Sequence, residues 1–270
     1  MPKLSRHLLI LIIPSLFTHH ASAADKSSYS LINPVPAEQL RELSTDRPDR
    51  TESPYSVDPG HFQFEIDLVN STIKGNSSDT VVAGINAKAG LTESIDLQVI
   101  AESLVINSSE SDSKNGYGDT TIRLKWNLYG NDDGDTALAI MPYYTIPTRS
   151  DEIGASTAVL GAAIPFAYSL PENISGGIML EPSLSLSGEG TVTDRFNLAT
   201  MATFSREIYG DLGGFVEFYN EISSSPWLAT LDLGLTWGMT SNLQWDIGSS
   251  FGLTSEAEDV NLFAGVSFRL

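Results

Sequence analysis

Charged side chains gather in two parts of this sequence. One is the run Thr45-Asp46-Arg47-Pro48-Asp49-Arg50-Thr51-Glu52-Ser53-Pro54, which interleaves two arginines with carboxylates. The other is a set of charges on the polar faces of alternating apolar segments: Glu65, Asp67, Lys88, Asp96, Glu102, Arg123, Lys125, Glu181, Glu217, Asp232, Asp246 and Arg269. An arginine offers a carboxylate two parallel donors, so these groups are suited to pairing in a confined space. Two outcomes follow from the residue types. Either the charges pair among themselves and stiffen a wall, or they line a polar path whose acidic bias favours cations and neutral polar solutes over anions.

Catalytic chemistry is poorly served. His7, His19 and His20 lie in an export segment, which leaves His61 as the one histidine beyond it. A Ser–His hydrolase would have to use His61 as its base, and no motif marks a partner serine. His and Cys show no metal-ligand spacing. Asn131-Asp132-Asp133-Gly134-Asp135 echoes a calcium loop but lacks its ligand spacing and distal Glu, so it reads as a polar turn. No cofactor motif is present.

The elements that carry the charges are strands. Thr120, Ile122, Leu124, Trp126 and Leu128 alternate with Asp119, Thr121, Arg123, Lys125 and Asn127. A period of two puts one apolar and one polar face on a strand. The pattern recurs at Phe62–Leu68, at Val81–Leu91 with Val81, Ala83, Ile85, Ala87 and Ala89 on the apolar side, and at Ile95–Ala101. It returns at Phe196–Phe204, Ala229–Trp237, Leu243–Phe251 and Leu262–Leu270, and residues 136–147, 155–168, 174–187 and 211–221 are strand-like with less separated faces. Together these make about twelve strands, an even number, as single-chain bacterial barrels have.

Loop lengths separate a barrel from a secreted β-sandwich. If the first strand runs outward, the long polar connections Ile106–Gly118 and Pro147–Ala155 fall outside. The short ones at Thr92–Ser94, Gly130–Asp135, Pro171–Asn173 and Gly238–Asn242 then fall in the periplasm. Trp126, Trp237 and Trp245 sit on apolar faces near strand ends, where interfacial girdles belong. The expected fold is all-β: a closed antiparallel transmembrane barrel over residues 61–270, with both termini periplasmic. The apolar face meets outer-membrane lipid. Phe268 and Leu270 on the last strand form a terminal signal for the barrel-assembly machinery.

The chain opens with Lys3 and Arg6, an apolar run from Leu8 to Phe17, and Ala21-Ser22-Ala23. That is an export signal over residues 1–23 with an A-x-A cleavage site. The precursor carries a formal charge of -19, and loss of Lys3 and Arg6 makes it two units more negative. This acidity argues against nucleic-acid partners. The chain has no Cys, so it does without disulfides. Residues 24–60, with Pro34, Pro36, Pro48, Pro54 and Pro59, read as an irregular leader with a short helical turn near Ala37–Leu43. The leader is either a solvated periplasmic tail or a segment folded into the lumen. In the second case Arg47 and Arg50 would meet Glu65, Asp67, Asp232 or Asp246.

Three motifs bring a family into view. Thr45–Pro54, followed by Val57, Pro59-Gly60, Gln63 and Glu65, resembles the opening motif of outer-membrane transporters of the MetA-pathway of phenol degradation. Gly90-Leu-Thr-Glu-Ser-Ile-Asp-Leu97 resembles that family's turn between its second and third strands. Gly116-Tyr-Gly-Asp119 leading to Lys125-Trp126 resembles its fourth strand. The resemblance covers residues 45–270. It implies an outer-membrane channel or transporter of a Gram-negative bacterium, passing small solutes and extending to aromatic or hydrophobic compounds. The other reading is a structural or interaction barrel with a closed lumen.

Overall fold

A computed structural model describes residues 25–132, 134–154, 156–186, 192–222 and 227–270. The export signal expected over residues 1–23 lies outside them. Each alternating segment forms a strand. In chain order these are β1 (Phe62–Lys74), β2 (Ser77–Thr92), β3 (Ile95–Ser108), β4 (Ser113–Gly116), β5 (Thr120–Tyr129), β6 (Thr136–Ile146) and β7 (Ala158–Leu170). They continue with β8 (Ile174–Leu186), β9 (Val192–Tyr209), β10 (Leu212–Ile222), β11 (Leu228–Thr240), β12 (Leu243–Gly252) and β13 (Val260–Arg269).

Twelve of these strands pair antiparallel with their neighbours into a ring, closed where β1 meets β13. The thirteenth, β4, is an addition. It pairs only with the outer end of β3, while β5 takes up the rest of β3. The Ile106–Gly118 loop therefore contains a short hairpin, a length too small for a two-residue period to register. The helical turn of the leader is a single 3-10 turn, Ala37–Gln39.

The outer face of the ring is apolar and exposed, as at Phe64's neighbours Phe62 and Leu68 and at Ile122, Leu124, Trp126, Leu231, Leu233, Leu235 and Ile247. The inner face holds the buried polar groups. A soluble protein would bury the first set and expose the second. Exposed hydrocarbon outside and buried charge inside is the arrangement a bilayer requires, and the fold is that of an outer-membrane barrel.

Trp126, paired with Ile95, and Trp237, paired with Leu212 and Trp245, all lie at the end of the barrel that carries the tight turns. They mark its periplasmic interface. Leu270 is at the same end, bonded through its backbone to Phe62.

Two irregularities in β1 and β2 break strict alternation. One is a bulge between Asp67 and Val69 in β1, so Leu68 and Val69 are both exposed; an extra residue flips the faces that follow it. The other is at Ala83 in β2, whose φ is +55° while its register with β3 runs on unshifted, Val82 opposite Leu104 and Gly84 opposite Glu102. Beyond it Val81 lines the inner cavity, opposite the buried Val105, although strict alternation from Ile85 would put Val81 on the lipid side.

Candidate functional site

The leader lies inside the barrel. At its base it crosses β2 at Gly90, where a Cβ atom would come within 2.0 Å of the Asp58 carbonyl oxygen. Only glycine allows that approach. The Val57 amide donates to Asp96 on β3 at 3.0 Å, and Asn127 on β5 donates to the Pro54 carbonyl at 2.9 Å.

At mid-height Asp46 accepts from three cations of the wall. Lys88 on β2 approaches at 2.6 Å, and Lys125 and Arg123 on β5 approach at 2.7 and 3.1 Å. Burial alone would raise the Asp46 carboxyl. Lys125, Lys88 and Arg123 together hold it well below the usual carboxylate range. Arg123 also clasps Glu52 with both guanidinium nitrogens.

The leader arginines face the opposite side of the lumen. Asp67 on β1, Gly265 on β13 and Asp246 on β12 stand side by side in register. The Arg47 guanidinium lies over Gly265 and reaches both carboxylates, with Nη2 to Asp246 at 2.6 Å. Arg50 pairs with Asp232 on β11 at 3.2 Å and with Glu258, beyond β12, at 2.6 Å, and its guanidinium carbon lies 4.4 Å from the centre of the Tyr219 ring.

The wall is thus divided by charge. Basic side chains on β2 and β5 take the leader's acids, and acidic ones on β1, β11 and β12 take its arginines. The sequence places Lys88, Arg123 and Lys125 on polar faces within a wall of acidic bias; their grouping into one basic side depends on β3, which lies between β2 and β5 in the sheet.

Glu65 departs from its expected role. No guanidinium among the described residues reaches it. Both of its oxygens accept from the Asp46 amide, at 3.0 and 3.1 Å, one accepts from the Arg47 amide at 2.9 Å, and Lys88 neutralises it. It therefore holds leader backbone rather than leader charge. Glu217 on β10 acts in the same way on the amides of Arg50 and Thr51, at 2.9 and 2.8 Å. Among the described residues Asp96 has no ion-pair partner, and it accepts from Val57 and Gln98.

Glu181 accepts from the Tyr143 hydroxyl at 2.7 Å, and Glu102 lines a cavity of about 230 Å³ with Asp67, Arg47 and Arg123. Arg269 lies at the base beside Asn242 and Asp58. There Asp132, part of the polar turn after β5, binds Lys26 and Arg41, each at 2.8 Å. Asn131 binds Ser56 from both of its amide atoms. That turn is a clasp on the leader, a role no local motif announces. His61 contacts two backbone carbonyls, of Val35 and Leu270, and no serine hydroxyl.

The remaining arc also carries an apolar cluster. Met141, Ala163, Met179, Ala199, Met201 and Tyr219 form one buried cluster on β6–β10, inside the ring. The Glu52 amide points at the Met179 sulfur, 3.4 Å away.

Two consequences can be measured here. A side chain at position 265 would sit 2.4 Å from the Arg47 guanidinium. Gly265→Val should push this flexible group off Asp67 and Asp246 and raise conductance while the barrel keeps its heat-modifiable migration. Unaltered conductance in a folded Gly265→Val barrel would show that the bridge does not hold the leader.

The second concerns pH. Burial pushes the Glu52 carboxyl up to about 8 despite Arg123, and burial with the neighbouring Glu217 raises Asp49 well above its ordinary value. The seated leader therefore keeps protons that a solvated leader releases. Seating is strongest below the ordinary carboxylate range of these two groups and weakens as pH rises through about 8. Channel recordings should show more opening at mildly alkaline than at mildly acidic pH, and Glu52→Gln should flatten that profile.

The comparisons agree with this architecture. A closed barrel with a buried N-terminal segment defines the class: an outer-membrane barrel of narrow lumen. Within it, the chain belongs to the family described as "Putative MetA-pathway of phenol degradation", whose pattern matches residues 45–270 and so includes the leader motif.

An outer-membrane channel from Pseudomonas putida F1 has a similar structure, with a TM-score of 0.57 at 12% identity over 84% of this chain and all of that one. NanC porin gives 0.53 at 10% identity, over 76% of this chain and 100% of its own. KdgM porin in complex with disordered oligogalacturonate gives 0.51 at 9%, over 77% and 98%. At these identities the likeness is one of fold. No curated protein matches the sequence.

Proposed function

We propose that this protein is an outer-membrane channel for passive, non-enzymatic passage of small solutes, gated by its own leader and favouring aromatic or hydrophobic compounds. The observation that carries this reading is the division of the lumen. The leader is tethered by ion pairs to the charged arc of the wall, and it meets the Met141–Met179–Met201–Tyr219 arc through weaker contacts, Arg50 over the Tyr219 ring and the Glu52 amide on the Met179 sulfur. Displacing the leader breaks charge contacts on one side and uncovers an apolar, polarisable strip on the other. Methionine sulfur and tyrosine rings are good partners for aromatic solutes. The family description, with its reference to phenol degradation, supports the same substrate class.

The competing reading, a closed barrel serving structure or interaction, draws on the completeness of the leader's contacts. Liposomes containing the full chain or a variant lacking residues 24–55 separate the two. Passage of a small aromatic alcohol that exceeds passage of a sugar of similar size, and that increases in the truncated barrel, supports the channel. Impermeable liposomes with both proteins would overturn it.

A further inference from the structure

The leader's first described stretch carries an apolar corner where polar residues are the rule. Ser30 and Asn33 bridge to each other through two backbone hydrogen bonds, at 2.9 and 3.0 Å, closing a tight turn whose two corner residues are Leu31 and Ile32. Turn corners favour Gly, Pro, Asn, Asp and Ser. Here Ile32 is 94% exposed and Leu31 is exposed beside it.

The turn is fixed in place. The Leu31 amide donates to the Leu91 carbonyl at 3.1 Å, Asn33 donates from its side chain to the Ser28 carbonyl, and His61 holds Val35 just beyond. Its height on the barrel can be read from the strand register. Leu91 lies in the bulge opposite Ile95, and Ile95 pairs with Trp126, a member of the periplasmic girdle. Phe62 and Leu270, both exposed, extend the same apolar band around the base.

From this we infer that the Leu31–Ile32 corner is a membrane anchor, inserted among phospholipids of the periplasmic leaflet at the level of the tryptophan girdle. Its occupant is lipid because the corner continues a surface that already faces lipid. Apolar side chains on a rigid turn gain by leaving water at that boundary. The anchor would fix the start of the leader outside the lumen while its middle is free to leave its ion pairs.

The chain has no cysteine, so a single one can report position. Ile32→Cys, carrying an environment-sensitive fluorophore, is to be compared with Ser28→Cys on the exposed side of the same segment. Both barrels are placed in phosphatidylcholine vesicles, with and without brominated acyl chains. The anchor requires blue-shifted emission at position 32, strong quenching by the brominated lipid and little by iodide, with the opposite behaviour at position 28. Equal iodide quenching at both positions would overturn it. So would shielding at position 32 that brominated lipid fails to quench and that grows with protein density, since a second copy would then be the occupant. Heat-modifiable migration of both labelled proteins establishes that each is folded.

Discussion

Asp46→Ala should unseat the leader more than any other single change. Lys88 keeps Glu65 and Arg123 keeps Glu52, but the buried Lys125 loses its one ion pair among the described residues. Removing one partner of a buried ion pair costs about 3–5 kcal/mol because the remaining charge keeps its desolvation penalty. That is a shift of roughly 10²- to 10⁴-fold between seated and released leader. Trypsin added to folded proteoliposomes should then cut after Arg50, which the wild-type lumen protects, while the barrel resists; Arg47 is followed by Pro48 and is not a tryptic site. A leader equally protected in the variant would mean that Asp46 is not its principal tether.

Arg47→Ala with Arg50→Ala attacks the other side of the lumen. Asp67 and Asp246 lose their shared guanidinium, and Asp232 and Glu258 lose theirs. Arg47 contributes most. Arg50 is about a third exposed, where pairs are worth less. Single-channel recordings should show higher conductance together with stronger cation preference, because inward carboxylates outnumber inward cations around the wall and the variant removes two more positive charges. Unchanged conductance and selectivity would rule out the leader as a gate.

The strands were legible in the sequence because their signal is local. Alternation needs only neighbouring residues, and Ile122, Leu124 and Trp126 against Arg123 and Lys125 declare both faces of β5. The left-handed backbone at Ala83 was not legible, since nothing in its residue type marks it, and so Val81 changes sides. The leader arginines and the carboxylates of β1, β11 and β12 could be named from charge alone. What charge alone cannot supply is adjacency across the ring. The Asp46 cradle needs β2 and β5 brought together by β3, and the role of Gly265 depends on two aspartates flanking it from other strands. Glu65 differs from its expected role because a carboxylate that holds leader amides, with Lys88 as its cation, looks in sequence like one awaiting a leader arginine.

The Arg47 bridge has a consequence for the order of events during assembly. Its two carboxylates come from the first and the twelfth strands, with the last strand between them. The bridge cannot exist until the seam has closed. A leader that precedes every strand in the chain is thus among the last elements to find its place. Its protection becomes a record that the circle is complete. A barrel arrested before β13 docks would still display the Arg47–Arg50 stretch to periplasmic proteases, and the appearance of cleavage there in closure-defective variants is the measurement that tests this. The same residues that keep the finished lumen shut would mark unfinished copies for removal.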